Sequence, residues 1–340
     1  MRRLLVLGGT EFVGRAVAED ALARGWEVTV FHRGRHAPPP GVAALRGDRT
    51  AGGGLTALEE AAAAGGWDIV VDTWSGAPSA VRDTAALLAP RVGHYAYVSS
   101  RSVYSFPAPA GLDETGPLVD APPDAPPDGD ADAGYARAKR GGELAVEAAF
   151  GDRGLLVRAG LILGPWENIG RLPWWLLRVA RGGEVLAPGP RDLALQYVDA
   201  RDLAAWTLDA AERGLGGAYN LVSPPGHTTM GELLESCVRV TGSGAVLRWT
   251  DPEPILAAGV RPWTDLPVWA PPGELHDAVH RGDVSRAVAA GLRCRPVGET
   301  VADTWAWLRG LGGEPPRRPD RPAVGLAPGK EAEVLRAVSD

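Results

Sequence analysis

Tyr135 and Lys139 stand four residues apart in the run Tyr135-Ala136-Arg137-Ala138-Lys139, a spacing that puts both side chains on one face of a helix. A phenol paired with an ammonium suits proton transfer to a carbonyl: the oxygen needs a proton as hydride reaches the carbon, and a nearby cation stabilises the phenolate left behind. Bringing a phenol from its ordinary pKa of ~10 to neutrality represents about 4 kcal/mol of differential stabilisation, within reach of a close cation at low dielectric. The pair alone is a common pattern. Its weight comes from position, because the β-rich run Tyr95–Ser99 and then Ser100-Arg101-Ser102-Val103-Tyr104 precede it.

A second chemistry-bearing run opens the chain. Leu4–Leu7 leads into Gly8-Gly9-Thr10-Glu11-Phe12-Val13-Gly14 and then into a helical stretch, the strand-turn-helix setting that a glycine-rich phosphate-binding turn requires. Glycines there allow a tight turn and let a pyrophosphate sit against the helix N-terminal amides. A plain strand-helix turn without ligand is the alternative. At the end of the next β-rich run, Phe31-His32-Arg33-Gly34-Arg35 has no acid to accept a ribose 2′-hydroxyl. Arg33 and Arg35 suit a 2′-phosphate instead, so NADP(H) is expected over NAD(H). The alternative for these arginines is a solvated basic loop.

These residues need rigid elements to hold them. Runs at Leu4–Leu7, Glu27–Phe31, Ile69–Asp72 and Tyr95–Ser99 alternate with helical stretches at Phe12–Arg24, Leu55–Ala64 and Ala80–Leu88, which predicts a parallel sheet. The strands are continuously apolar, as strands covered by helices on both faces are. Further on, Gly134–Phe150 reads as a helix, Leu155–Val157 as a strand, and Val198–Asp199 precedes a helix ending near Gly214. The expected architecture is α/β, a doubly wound parallel sheet with a smaller, mixed α/β C-terminal substrate domain, since cores usually divide beyond ~250–300 residues. Residues 1–165 with about 196–222 are assigned to the first part, 166–195 with about 223–312 to the second, and 313–340 to a Pro- and Arg-rich tail. Residues 105–132 repeat Pro and Asp and are expected to form a long loop bordering the site, a lid or, as composition favours, a disordered excursion.

The Gly8–Gly14 turn together with Ser100, Tyr135 and Lys139 resembles the extended short-chain dehydrogenase/reductase family and its TGxxGxxG signature, with Gly8 and Gly14 in the first and third glycine positions. Glu11 occupies the middle one, where a carboxylate repels a pyrophosphate unless it turns outward, although a helix N-terminus favours an acid. The resemblance implies a Rossmann fold with Thr10, Glu11, Phe12 and Val13 lining the dinucleotide, Asp48 meeting the adenine amine and Thr73 lining the cofactor. It further implies that Ser100 polarises the substrate oxygen, that Tyr135 is the acid/base, and that Lys139 also holds the nicotinamide ribose. The 35-residue gap from Ser100 to Tyr135 exceeds the family's usual spacing because the acidic loop is inserted.

Nucleotide-sugar dehydratases of that family carry an Asp and a Glu after the catalytic Thr, and here those positions are Arg101 and Ser102; water elimination lacks its acid/base pair. Nucleotide-sugar epimerases share the triad, yet Leu161 stands at their usual Asn and Leu193 at their diphosphate Arg, with Arg191 two residues away. Nine of the twelve tryptophans lie at or beyond Trp166. Trp174 and Trp175 follow Pro173 on a helix and point ~100° apart, so they cannot both face one core. Trp166, Trp174 and Trp175, with Arg101, are the candidate substrate contacts, unless these tryptophans simply pack the core. An apolar lining suits an apolar carbonyl compound better than a charged sugar nucleotide. The expected function is therefore an NADP(H)-dependent reductase of an apolar ketone, or oxidation of the alcohol; nucleotide-sugar epimerisation is the alternative. A third is a non-catalytic dinucleotide sensor or RNA-binding relative, because Gly8-Gly9-Thr10-Glu11-Phe12 and Phe31-His32-Arg33-Gly34 are similar to segments of a plant plastid RNA-binding member.

Composition narrows the partners to a small-molecule substrate. The net charge is −7, and the seven acids between residues 102 and 136, with no Lys or Arg among them, account for it. No basic stripe is left for nucleic acid and no polybasic patch for a membrane. Cys237 and Cys294 form neither a disulfide framework nor a zinc set, and no metal is expected. His276 and His280, four apart, read as a surface pair. The apolar start stops at Gly8-Gly9, too short for a signal peptide, so a cytoplasmic location is expected. The family resemblance implies homodimerisation.

Overall fold

The computed structural model describes residues 1–121, 131–318 and 321–338. Its sheet holds β1 (Arg3–Leu7), β2 (Glu27–His32), β3 (Ala43–Arg46), β4 (Ile69–Asp72), β5 (His94–Ser100), β6 (Gly154–Ala159) and the strand Gly217–Leu221. From one edge the order is Gly217–Leu221, β6, β5, β4, β1, β2, β3, and every pairing is parallel. The chain order reverses beside β1, which lies between β4 and β2. A doubly wound sheet opens its ligand crevice at such a point, beyond the C-terminal ends of the strands.

Successive strand residues enter opposite cores. Leu4, Val6, Val28, Val30, Ile69 and Val71 pack with α1 (Phe12–Ala23) and with Leu203 and Trp206 of the helix Ala200–Glu212. Leu5, Leu7, Val70, Tyr95 and Tyr97 pack instead with α2 (Thr56–Ala64), α3 (Pro78–Leu88) and α4 (Ala131–Phe150). Both faces being covered is why these strands read as unbroken apolar runs, and each buried aliphatic side chain contributes about 1.5–3 kcal/mol.

A third core gathers Leu161, Trp175, Leu176, Val185, Met230, Leu233, Trp269 and Leu308. In it the helix Arg171–Ala180 buries Leu172, Trp175, Leu176 and Val179, a helical stripe. In the stretch expected to be a tail, residues 326–338 are packed onto this core. Leu326 and Val334 enter this third core, Pro328–Ala337 is helical, and Arg178 Nε donates to buried Glu331 at 2.5 Å.

The acidic loop is also more ordered than its composition predicts in the part described. Tyr104 and Leu118 pair antiparallel, Ser105 N donates to Pro117 O at 2.9 Å, and the Glu114 carboxylate accepts Asn220 N at 2.7 Å. Residues 122–130 of it lie outside the described residues. No helix among the described residues is long and apolar enough to cross a membrane.

Candidate active site

The turn after β1 is shaped by positive backbone angles, φ +119° at Gly8 and +80° at Gly9, which a side chain makes unfavourable. A Cβ on Gly8 would collide with Thr73 Oγ1, and one on Gly14 would lie 2.5 Å from Gly9 N. Thr73 is held against the turn because its N and Oγ1 both donate to Leu7 O, at 3.2 and 3.1 Å. Phe12, at φ +38°, is a strained non-glycine residue at the helix entry, the kind of cost that clusters at ligand sites. Thr10 lies two residues before it and is half-buried, and Val13 directly after it is buried.

Glu11 is the N-cap of α1 but makes no capping bond. Its carboxylate accepts Asn168 Nδ2 at 3.4 Å and lies 3.4 Å from His36 Nε2. The acid at the middle glycine position is thus drawn toward the third core's loop. A Cβ-free cradle beside a helix N-terminus is what a dinucleotide diphosphate needs, and these residues fit it.

At the ends of β2 and β3, Arg33 and Arg35 are exposed, and both charges help hold the Asp48 carboxyl below its usual range, after the bonds from Thr50 N and Oγ1. Those two bonds measure 3.0 and 2.7 Å. Burial, and then the Arg46 charge, lower the His32 imidazole.

At the other end of the crevice Lys139 is 3 % exposed. Its Nζ donates to Trp74 O at 2.5 Å and to Val98 O at 2.6 Å, and burial pushes it down to about 7. Ser100, nearly buried, ends β5 two residues beyond Val98. Its Oγ accepts Ser102 N at 3.1 Å and donates to Ser102 Oγ at 3.1 Å. Tyr135 is half-buried one turn before Lys139, with the Arg321 guanidinium 4.4 Å from its ring centroid.

Two buried ionic groups fix this arrangement, and the sequence reading missed both. Glu143, one more turn along α4 and fully buried, accepts Ser99 Oγ at 2.7 Å and Arg158 Nε at 2.9 Å. The 135, 139, 143 spacing is its signal in the sequence. Asp72 takes Arg49 at 2.7 Å on each oxygen and Tyr95 OH at 2.7 Å, and it caps Trp74 N at 2.9 Å. Arg49, directly after Asp48, therefore sets the turn whose carbonyl holds Lys139.

The candidate substrate contacts do not converge. Arg101 is 8 % exposed and donates to Ala278 O at 3.1 Å and Val279 O at 3.3 Å, tying the end of β5 to the helix Glu274–His280. Trp175 is a core residue, fully buried with Nε1 donating to Pro267 O at 2.6 Å. Trp174 is partly buried and meets Trp175 edge-on, with no room for a Cβ on Gly325 beside it. Trp166 lies under the Arg15 guanidinium at 3.9 Å, near the start of α1. His276 and His280 are not a surface pair: both are buried and bonded to Ala194 O and Val268 O at 2.8 and 2.9 Å, and burial pushes His280 down to about 4. Among the described residues no group of three or more His, Cys, Asp or Glu is placed to hold a metal.

The family model described as the NAD dependent epimerase/dehydratase family matches residues 4–221. No curated protein matches the chain. Among solved structures, the Bordetella bronchiseptica enzyme WbmH in complex with NAD+ is similar at 20 % identity and TM-score 0.66, over 92 % of this chain and 100 % of that one. A putative epimerase from Burkholderia cenocepacia J2315 is similar at 22 % identity and TM-score 0.66, over 91 % and 98 %. The UDP-N-acetylglucosamine 4-epimerase from Bacillus cereus is similar at 15 % identity and TM-score 0.65, over 91 % and 100 %. At these identities the likenesses establish the fold.

Proposed function

The chain belongs to the NAD dependent epimerase/dehydratase family, a family of NAD(P)-dependent enzymes, and from that premise we propose that it moves hydride between NADP(H) and a carbonyl or alcohol carbon of an apolar small molecule. The observation that carries the proposal is Lys139, an ammonium buried to 3 % exposure one helical turn from Tyr135 and fixed to β5, the strand that ends in Ser100.

Gly8, Gly14 and Thr73 would seat the diphosphate, with Arg33 and Arg35 at the adenosine end. The bound dinucleotide supplies or accepts the hydride. Ser100 Oγ positions the substrate oxygen, and Tyr135 gives that oxygen its proton in the reducing direction. Two of the three donors of protonated Lys139 are committed to Trp74 O and Val98 O. The third is left for the ribose and the phenol. Preference for NADP(H) is supported by the two exposed arginines and the absence of an acid at the end of β2.

Nucleotide-sugar epimerisation is the second reading, supported by the names of the similar structures. Three observations favour the first. Leu161 and Leu193 are buried in the third core, while Arg191 is exposed and bonded to Glu235. The apolar side chains at 161 and 193 offer a diphosphate no donor, and the Arg191 guanidinium is turned to Glu235. A thermal-shift comparison of NADPH with NADH, followed by a panel of apolar ketones with NADPH absorbance monitored, tests the proposal. Stabilisation by NADPH with consumption on a ketone is expected; interconversion of a sugar nucleotide with no net dinucleotide consumption would transfer the assignment to the second reading.

A further inference from the structure

Between the helix Val297–Gly310 and Leu326, which enters the third core, Arg318 and Arg321 both meet residues of the crevice. Arg318 N donates to Asn168 O at 3.0 Å, and Arg318 Nη2 donates to Ser75 Oγ at 3.3 Å. Asn168 reaches the Glu11 carboxylate at the N-cap of α1, while Ser75 follows Thr73, the residue packed on Gly8. Arg318 thus bridges the two banks of the glycine-rich turn. Farther along, Arg321 lies on the Tyr135 ring and Gly325 N donates to Thr264 O at 2.8 Å. The helix Pro328–Ala337 is then fastened through Glu331 to Arg178.

We propose that Arg318 is part of the dinucleotide site and that its guanidinium contacts the cofactor diphosphate from the side opposite the α1 N-terminus. The inference rests on the reading that the Gly8–Gly14 turn holds a dinucleotide. A dinucleotide laid from Arg33 and Asp48 to Lys139 passes that turn at its diphosphate, where helix amides supply positive potential from one side. A planar guanidinium pairs with phosphate oxygens bidentately and suits the other side. The charges of Arg318 and Arg321 also reach the far end of the crevice, where both act to lower Lys139.

The test is fluorescence titration of the full chain with NADPH and with NADH, comparing the wild type, Arg318→Ala, Arg318→Gln and the exposed Arg317→Ala. Losing one charge-assisted contact is expected to raise Kd about 10-fold or more in Arg318→Ala, by the same factor for both dinucleotides because they share the diphosphate. Arg317→Ala is expected to leave both unchanged. Arg318→Gln keeps a donor for Ser75 and carries the comparison if the alanine variant does not fold. An unchanged Kd, or a loss confined to NADPH, overturns the diphosphate contact while the dinucleotide reading stands. A wild-type chain that binds neither dinucleotide overturns both.

Discussion

Lys139 Nζ donates to the carbonyl of Trp74, at 2.5 Å, across the crevice between α4 and the end of β4. The bond joins the helix that carries Tyr135 to the turn that begins with Thr73, so the proton-transfer pair and the glycine-rich turn belong to one rigid unit. Asp72, locked by Arg49 and Tyr95 beneath that turn, keeps the Trp74 carbonyl in place.

Tyr135→Phe removes the acidic proton and little else. Its kcat should fall by about 10²–10⁴-fold, the usual contribution of a positioned acid, with the NADPH Kd unchanged by fluorescence titration. Undiminished turnover would instead favour a non-catalytic role for this residue.

Lys139 imposes a pH dependence on stability. Its folded value, about 7, is below that of a free lysine, so the unfolded chain binds the extra proton between pH 7 and roughly 10. The cost of burying the charge is fully present below pH 7 and is relieved as pH rises through that window. Lys139→Met should therefore raise the melting temperature most at or below pH 7 and progressively less toward pH 9, as calorimetry can follow. A gain that grows with pH would contradict this sign.

Arg33→Glu places a carboxylate where a 2′-phosphate is expected. The KM for NADPH should rise at least about 10-fold more than that for NADH, a difference of roughly 1.4 kcal/mol. Equal changes in steady-state kinetics would remove the phosphate role from this residue.

Glu143→Gln leaves Arg158 buried without its carboxylate. Breaking such a pair costs about 3–5 kcal/mol, so the melting temperature should drop sharply and activity should fall with it, because Ser99 and α4 lose their common anchor. A variant as stable as the wild type would show that α4 is held by its apolar contacts alone.

Much of the fold was legible because it depends on local patterns. The continuous apolar strands and their intervening helices follow from burial on both faces, and the Gly8–Gly14 turn follows from glycine spacing. β3 escaped notice: Ala43–Arg46 is a short, largely exposed edge strand, and two of its four residues are alanines, which are depleted in strands. At the site, Tyr135 and Lys139 were visible through helical spacing, whereas Asp72 with Arg49 and Glu143 with Arg158 are pairs made by the sheet. No local pattern announces them. Trp174 and Trp175 show the same limit, since their divergence on the helix was readable while the partner each one meets was not. Arg318 and Arg321 were hidden by composition, as a Pro- and Arg-rich stretch reads as a tail until the helix beyond it is seen to dock.

The central claim is that Tyr135 and Lys139 serve net hydride transfer with the dinucleotide held at the Gly8–Gly14 turn. A single-turnover measurement tests it most directly: enzyme loaded with NADPH is mixed with an apolar ketone found in the panel, and dinucleotide oxidation and alcohol formation are followed together. The account predicts one alcohol formed per NADPH oxidised in the wild type and loss of both signals in Tyr135→Phe. Alcohol formed without NADPH oxidation, or equal rates in Tyr135→Phe, would contradict it.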